Sequence, residues 1–105
     1  MILVYITCKN VIEARKIAET AITEKLAACA NIFPQIHSIY TWENKLCEND
    51  ETVLILKTLE ANYEKLSKRV KEIHSYECPC IMALDVKDVN AEYLAWINES
   101  LNILQ

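Results

Sequence analysis

The residues best suited to chemistry crowd into one stretch, EIHSYECPCIMALDV, residues 72–86, which holds His74, Cys78 and Cys80. An imidazole and two thiolates are soft donors suited to Cu(I) or zinc. A bend between His74 and Cys78 would fold the ring back toward the sulfurs. A Cys78–Cys80 disulfide is disfavoured by reach. Residues two apart on an extended chain share a face, with Cα atoms about 6.6 Å apart, whereas disulfide Cβ atoms sit roughly 3.8 Å apart. Packing is the third use, because Cys80, Met82 and Leu84 alternate onto one face and free cysteine is among the most buried residue types. Metal ligation and packing both stay open at this stage.

A second polar group is Lys57, near the end of an apolar run, with His74, Tyr76 and Glu77. A lysine, a histidine and a carboxylate suit an anion or small polar ligand, or acid–base work. The same groups would equally serve as a hydrogen-bond network at an interface, since buried polar groups need partners whatever their role. His37 has no convergent ligands nearby in sequence, and Cys8 and Cys47 follow no pattern.

Composition excludes several classes. A length of 105 residues fits one domain, 1–105, with one core. The net charge of −4 argues against nucleic acid and anionic membranes as partners, because both call for a basic footprint. No apolar run approaches the roughly 20 residues of a membrane span, and MILVYITCKN lacks a secretory pattern. Five irregularly spaced cysteines suggest free thiols in a reducing cytoplasm rather than a disulfide framework. The chain has no glycine at all, so glycine-rich phosphate loops and dinucleotide fingerprints are absent, and no nucleotide cofactor is expected through either.

The elements that must position these groups follow from periodicity. ILVYITC, residues 2–8, reads as a strand. Asn10 and Glu13 form a capping-box pattern ahead of a helix whose stripe is Ala14, Ile17, Ala18, Ala21, Ile22 and Leu26. Residues 36–42 read as extended chain, with Pro34 marking an edge or bulge. ENKLCENDE, residues 43–51, is predicted as turn, with Asn44, Asn49 and Asp50 supplying the bends. TVLILKT, residues 52–58, is a strand; Thr58 then caps a helix carrying Leu59, Tyr63, Leu66, Val70 and Ile73 and ending near His74–Ser75. Residues 80–86 form a last strand, and Asn90 caps a final helix with Tyr93, Leu94, Ile97 and Leu101. The order β-α-β-β-α-β plus a helix is the α+β, ferredoxin-like plan with an antiparallel sheet.

That plan covers only one face of the sheet, and a half-solvated strand should alternate apolar with polar residues. ILVYI, TVLIL and CIMAL do not alternate. Other copies of the chain are expected on the second face; the alternative is that the last helix crosses over and covers it alone.

Five segments in order then resemble the CutA family of small divalent-cation tolerance proteins: EKLAACANI (24–32), SIYTWENK (38–45), LILKT (54–58), HSYECPCIMALDV (74–86) and YLAWINES (93–100). The resemblance implies a ferredoxin-like fold, a homotrimer, a link to copper or another divalent metal, and no defined reaction. It implies a cleft between subunits near Tyr40, Trp42, Lys57, His74, Tyr76 and Glu77, and it makes Cys29 a further candidate metal ligand beside His74, Cys78 and Cys80. The sequence departs from the family pattern at Asn44, where glycine is usual, at Ser75 in place of proline, and at Cys78 and Cys80. Asn44 is therefore expected at positive φ. An acylphosphatase-type enzyme is the rival on this fold, but the loop after the first strand, CKNV, offers no arginine for a phosphate. A second rival is a trimeric signalling adaptor that binds a small effector in the same cleft; its protein partner is unknown.

Overall fold

The structure, a computed structural model, describes residues 1–102; the last three residues of the domain read from the sequence lie outside them. Its elements are β1 (Ile2–Cys8), α1 (Val11–Thr23), β2 (Cys29–Trp42), β3 (Lys45–Thr58), α2 (Tyr63–Ile73), β4 (Ile81–Asp85) and α3 (Ala91–Leu101), with a short 3-10 turn at Glu60–Asn62. The four strands make one antiparallel sheet in the order β2-β3-β1-β4. This is the α+β, ferredoxin-like arrangement that the element order predicts.

Side chains decide the layers. Ile2, Val4, Ile6 and Cys8 of β1 alternate onto the helical face and are fully buried with Leu54 and Leu56 of β3. They pack against Ala14, Ile17, Ala18 and Ala21 of α1 and Leu66 and Val70 of α2. Small alanines let α1 lie close to the sheet. At its start the Glu13 amide donates to Asn10 Oδ1 at 2.9 Å, as the capping pattern predicts. The Glu13 carboxylate, however, reaches the Lys9 amide at 2.9 Å rather than that of Asn10.

Two local expectations are corrected. Thr58 does not cap α2: it is buried, donates to the Leu26 carbonyl at 2.7 Å and accepts from Asn62 at 3.2 Å, while the 3-10 turn opens the helix. ENKLCENDE is not a turn beyond its first two residues. Glu43 and Asn44 alone reverse the chain, at φ 51° and 64°, as the two central residues of a type I′ hairpin. Lys45 onward is strand, pairing Asp50 with His37 and Asn49 with Ser38. The bends assigned to Asn49 and Asp50 are needless once Glu43 and Asn44 accept left-handed backbone without glycine. The register shifts between Phe33 and Ile36, at Pro34 on the edge strand β2, so the predicted bulge is present.

The result is a long hairpin arm on a molecule of 49 × 27 × 21 Å. On it, His37 is clamped between two carboxylates, Nδ1 at 3.0 Å from Asp50 and Nε2 at 2.7 Å from Glu48. Each ring nitrogen faces an acceptor, so the geometry is complete only when both carry protons. The bonds to Asp50 and then Glu48 raise the His37 pKa above its ordinary 6.5. The resulting stabilisation of the arm is present in full below that ordinary value and fades as pH rises through the higher folded one. An NMR titration of the His37 ring should give a midpoint above 6.5, falling back in Glu48→Gln/Asp50→Asn. A midpoint unchanged by the double substitution would contradict the clamp.

The second face of the sheet is only partly covered. Tyr93 of α3 approaches Lys57 of β3, the ammonium donating to the phenol oxygen at 3.2 Å, and Ile97 and Leu101 are buried beside it. Met82 and Leu84 of β4 remain 47% and 46% exposed, and Phe33 of β2 is 52% exposed. Along the arm Ile39, Trp42 and Leu46 are also exposed.

Candidate functional site

The site is built where α2 ends. His74 closes the helix with its amide donating to the Val70 carbonyl at 2.9 Å, and its backbone turns extended. Its side chain is wholly buried. The Tyr76 amide donates to Nδ1 at 3.0 Å, so that nitrogen holds a lone pair; Nε2 then carries the proton and donates to the Thr7 carbonyl at 2.8 Å. The ring therefore works as a clasp between β1 and the segment after α2.

Glu13 completes the clasp. One carboxylate oxygen takes the Lys9 amide and the other takes the Ser75 amide at 2.8 Å. Burial acts to raise its pKa, but the hydrogen bonds from Lys9 and Ser75 outweigh that and hold it below the usual carboxylate range. Cys8 lies alongside, its thiol pushed up to about 12 by burial and by the charges of Glu13 and Glu51. Ligand atoms of Cys8, Glu13 and His74 all fall within 4.8 Å of one another. As a donor set they suit a metal poorly, because both histidine nitrogens and both carboxylate oxygens already hold or accept protons from protein groups.

From this clasp, residues 75–80 run as bent chain into β4 and form one wall of a cleft of about 570 Å³. Tyr76 donates from its hydroxyl to Glu51 at 2.7 Å, and Ser38 donates to the other Glu51 oxygen at 2.7 Å. Burial first, and then the bond to Glu51, raise the Tyr76 phenol above its ordinary range; burial first, and then Glu51, also raise Cys80. Both groups therefore keep their protons near neutral pH. The cleft offers sulfur, carboxylate and aromatic surface for binding rather than an activated nucleophile.

Of the residues singled out from sequence, Tyr40, Trp42, Tyr76, Glu77, Cys78 and Cys80 line this one cleft. His74 stands behind its wall, with its ring nitrogens taken by the Thr7 carbonyl and the Tyr76 amide. Lys57 lies at the other end of the sheet, opposite Leu3 of β1, whereas Thr7 marks the His74 end. Cys29 pairs with Lys57 there. Within one chain, then, Cys29, His74, Cys78 and Cys80 do not converge, and Lys57 does not join His74 and Glu77. Sequence reading missed Glu51, the acid that ties Ser38 and Tyr76 together, and missed Cys8 as a neighbour of His74. Glu51 was hidden as the last residue of the predicted turn 43–51; Glu13 was legible as a cap.

Comparison with known proteins agrees with this geometry. The profile of a family described as "CutA1 divalent ion tolerance protein" matches residues 2–100. The divalent-cation tolerance protein CutA of Pyrococcus horikoshii is 43% identical over 99 residues, covering 94% of this chain and 96% of that protein. The rice "Protein CutA 1, chloroplastic" is 42% identical over 94% of this chain, which spans only 56% of the rice protein's length. A solved CutA structure from Archaeoglobus fulgidus, described as a periplasmic divalent cation tolerance protein, superposes with a TM-score of 0.94 at 38% identity, covering 97% of this chain and all of that one (100%). No helix among the described residues is long and apolar enough to cross a membrane. Matching segments, fold and profile lead to one conclusion: this chain belongs to the CutA1 divalent ion tolerance family.

Proposed function

We propose that the chain works as a homotrimer in metal-ion tolerance, binding metal rather than catalysing a reaction, in the cytoplasm. The observation that carries the assembly is the half-exposed apolar surface on the second sheet face, at Phe33, Met82 and Leu84, continued by Tyr40 and Trp42 on the arm. Apolar surface left exposed across one sheet face marks an interaction surface. Its occupant is a second and third copy of the chain, because the arm extends the same kind of surface beyond its own sheet. Support for the metal role comes from the names of the relatives and from the thiols of the cleft. The cytoplasmic reading is supported by five free cysteines.

A second reading, an adaptor that holds a small effector in the cleft and signals to a protein partner, draws on the aromatic wall of Tyr40 and Trp42 facing Glu51. Thermal-shift measurements separate the two. A metal at 100 times its Kd stabilises by about 2.7 kcal/mol, a rise on the order of 10 °C for a domain of this size. Copper or another metal ion should produce that rise and small organic anions should not. The opposite pattern would contradict the metal reading.

A further inference from the structure

We propose that Cys78 and Cys80 together form a binding site for one soft monovalent d10 cation at the mouth of the cleft, Cu(I) being the ion with which to test it. The inference names a site for the metal role proposed above and rests on that reading.

Both cysteines line the same cleft, and they are the only two that do among its lining residues. Cys8 is buried in the core, Cys29 pairs with Lys57 at the far end of the sheet, and the Cys47 thiol is turned to the Lys45 carbonyl at 3.7 Å. Cys78 is exposed and Cys80 half-buried, so one sulfur meets the incoming ion and the other sits deeper. Two residues of chain hold their Cα atoms no more than about 7 Å apart, and Pro79 restricts the backbone between them. The pair is thus held near without needing the tight approach of a disulfide.

The surroundings select the ion. His74 is unavailable, its two nitrogens being taken by Tyr76 and Thr7. Both Glu51 oxygens are engaged by hydroxyls. Within one chain the site offers two sulfurs and, among harder donors, only the Glu77 carboxylate, whereas structural zinc takes four ligands. Thiolates favour soft ions such as Cu(I), and such an ion accepts two sulfurs in line. Glu51 and Glu77 give the cleft a negative lining that draws a cation and repels anions. On binding, two thiols release two protons and one Cu(I) takes both sulfurs; no electron is transferred.

The test is an anaerobic titration of Cu(I) against the chromophoric chelator bicinchoninate. It uses the full chain, the Cys78→Ser/Cys80→Ser variant and the Cys29→Ser/Cys47→Ser variant, each checked by circular dichroism. The wild type and the Cys29/Cys47 variant should each bind one tight Cu(I) per chain. The Cys78/Cys80 variant should bind at least 100-fold more weakly while keeping the same melting profile without metal, and Zn(II) should not compete. Equal affinity in the Cys78/Cys80 variant would overturn the site and leave the metal role standing. Tight binding by none of the three, with no thermal shift from any metal, would overturn both. Single Cys78→Ser, at an exposed position, repeats the measurement should the double variant misfold.

Discussion

Met82→Asp combined with Leu84→Asp should turn the assembly into folded single chains. Both side chains stand on the second face of the sheet, Met82 opposite Tyr5 and Leu84 opposite Leu3, and each is about half exposed in the isolated chain. The fold itself therefore draws little from them, and a carboxylate there still reaches water. In the proposed trimer the same positions would be covered. Each loses about half of the roughly 1.5–3 kcal/mol that full apolar burial gives, and each buried, unpaired carboxylate adds a penalty of several kcal/mol. At 1.4 kcal/mol per factor of ten, association should weaken by at least about 1,000-fold. Light scattering after gel filtration reads the mass, and circular dichroism shows whether the chains stay folded. A variant that keeps the wild-type mass would mean that this face is not the interface.

The second large effect is predicted for His74→Ala. The ring is completely buried and joins the Thr7 carbonyl to the Tyr76 amide. Its removal leaves both groups without a partner, at about 1–3 kcal/mol each, and leaves a cavity that adds to the loss. A total of about 3–5 kcal/mol should appear in urea unfolding. Because the clasp also anchors residues 75–80, Cu(I) affinity should fall although His74 is no ligand. His74→Gln, which can donate from the same region, should recover part of the stability. A loss below about 1 kcal/mol would show that the clasp is not what holds the segment.

What the sequence revealed depended on whether an element has a core to write itself against. β1 and α2 bury a face, so Ile2, Val4 and Ile6 or Leu66 and Val70 repeat at the period of their structure. β4 was legible from its apolar run, although its side chains stay largely exposed within one chain. The arm has no core beneath it. His37, Glu48, Asn49 and Asp50 pair only across the hairpin and face solvent, so their polarity resembles a loop although their backbone is strand. The turn was legible at Asn44, which takes the expected positive φ of 64°, and disguised only at Glu43, where φ is 51°.

The cleft was legible in its local part only. Tyr76, Glu77, Cys78 and Cys80 are neighbours in sequence and stay neighbours in space. Glu51 reaches Tyr76 across 25 residues, Glu13 reaches Ser75 across 62 and His74 reaches Thr7 across 67. No spacing rule carries such contacts; they follow from register. Register also explains Lys57, which lies near the end of β3 while Glu51 lies at its middle, about 20 Å of extended chain away.

The whole reading hangs on the greasy side of the sheet finding its cover in sister chains. Analytical ultracentrifugation of the untagged wild-type protein at low micromolar concentration tests this most directly. It should show one species at three times the mass of a single chain, unchanged on dilution. A stable, folded species at the mass of one chain would contradict it.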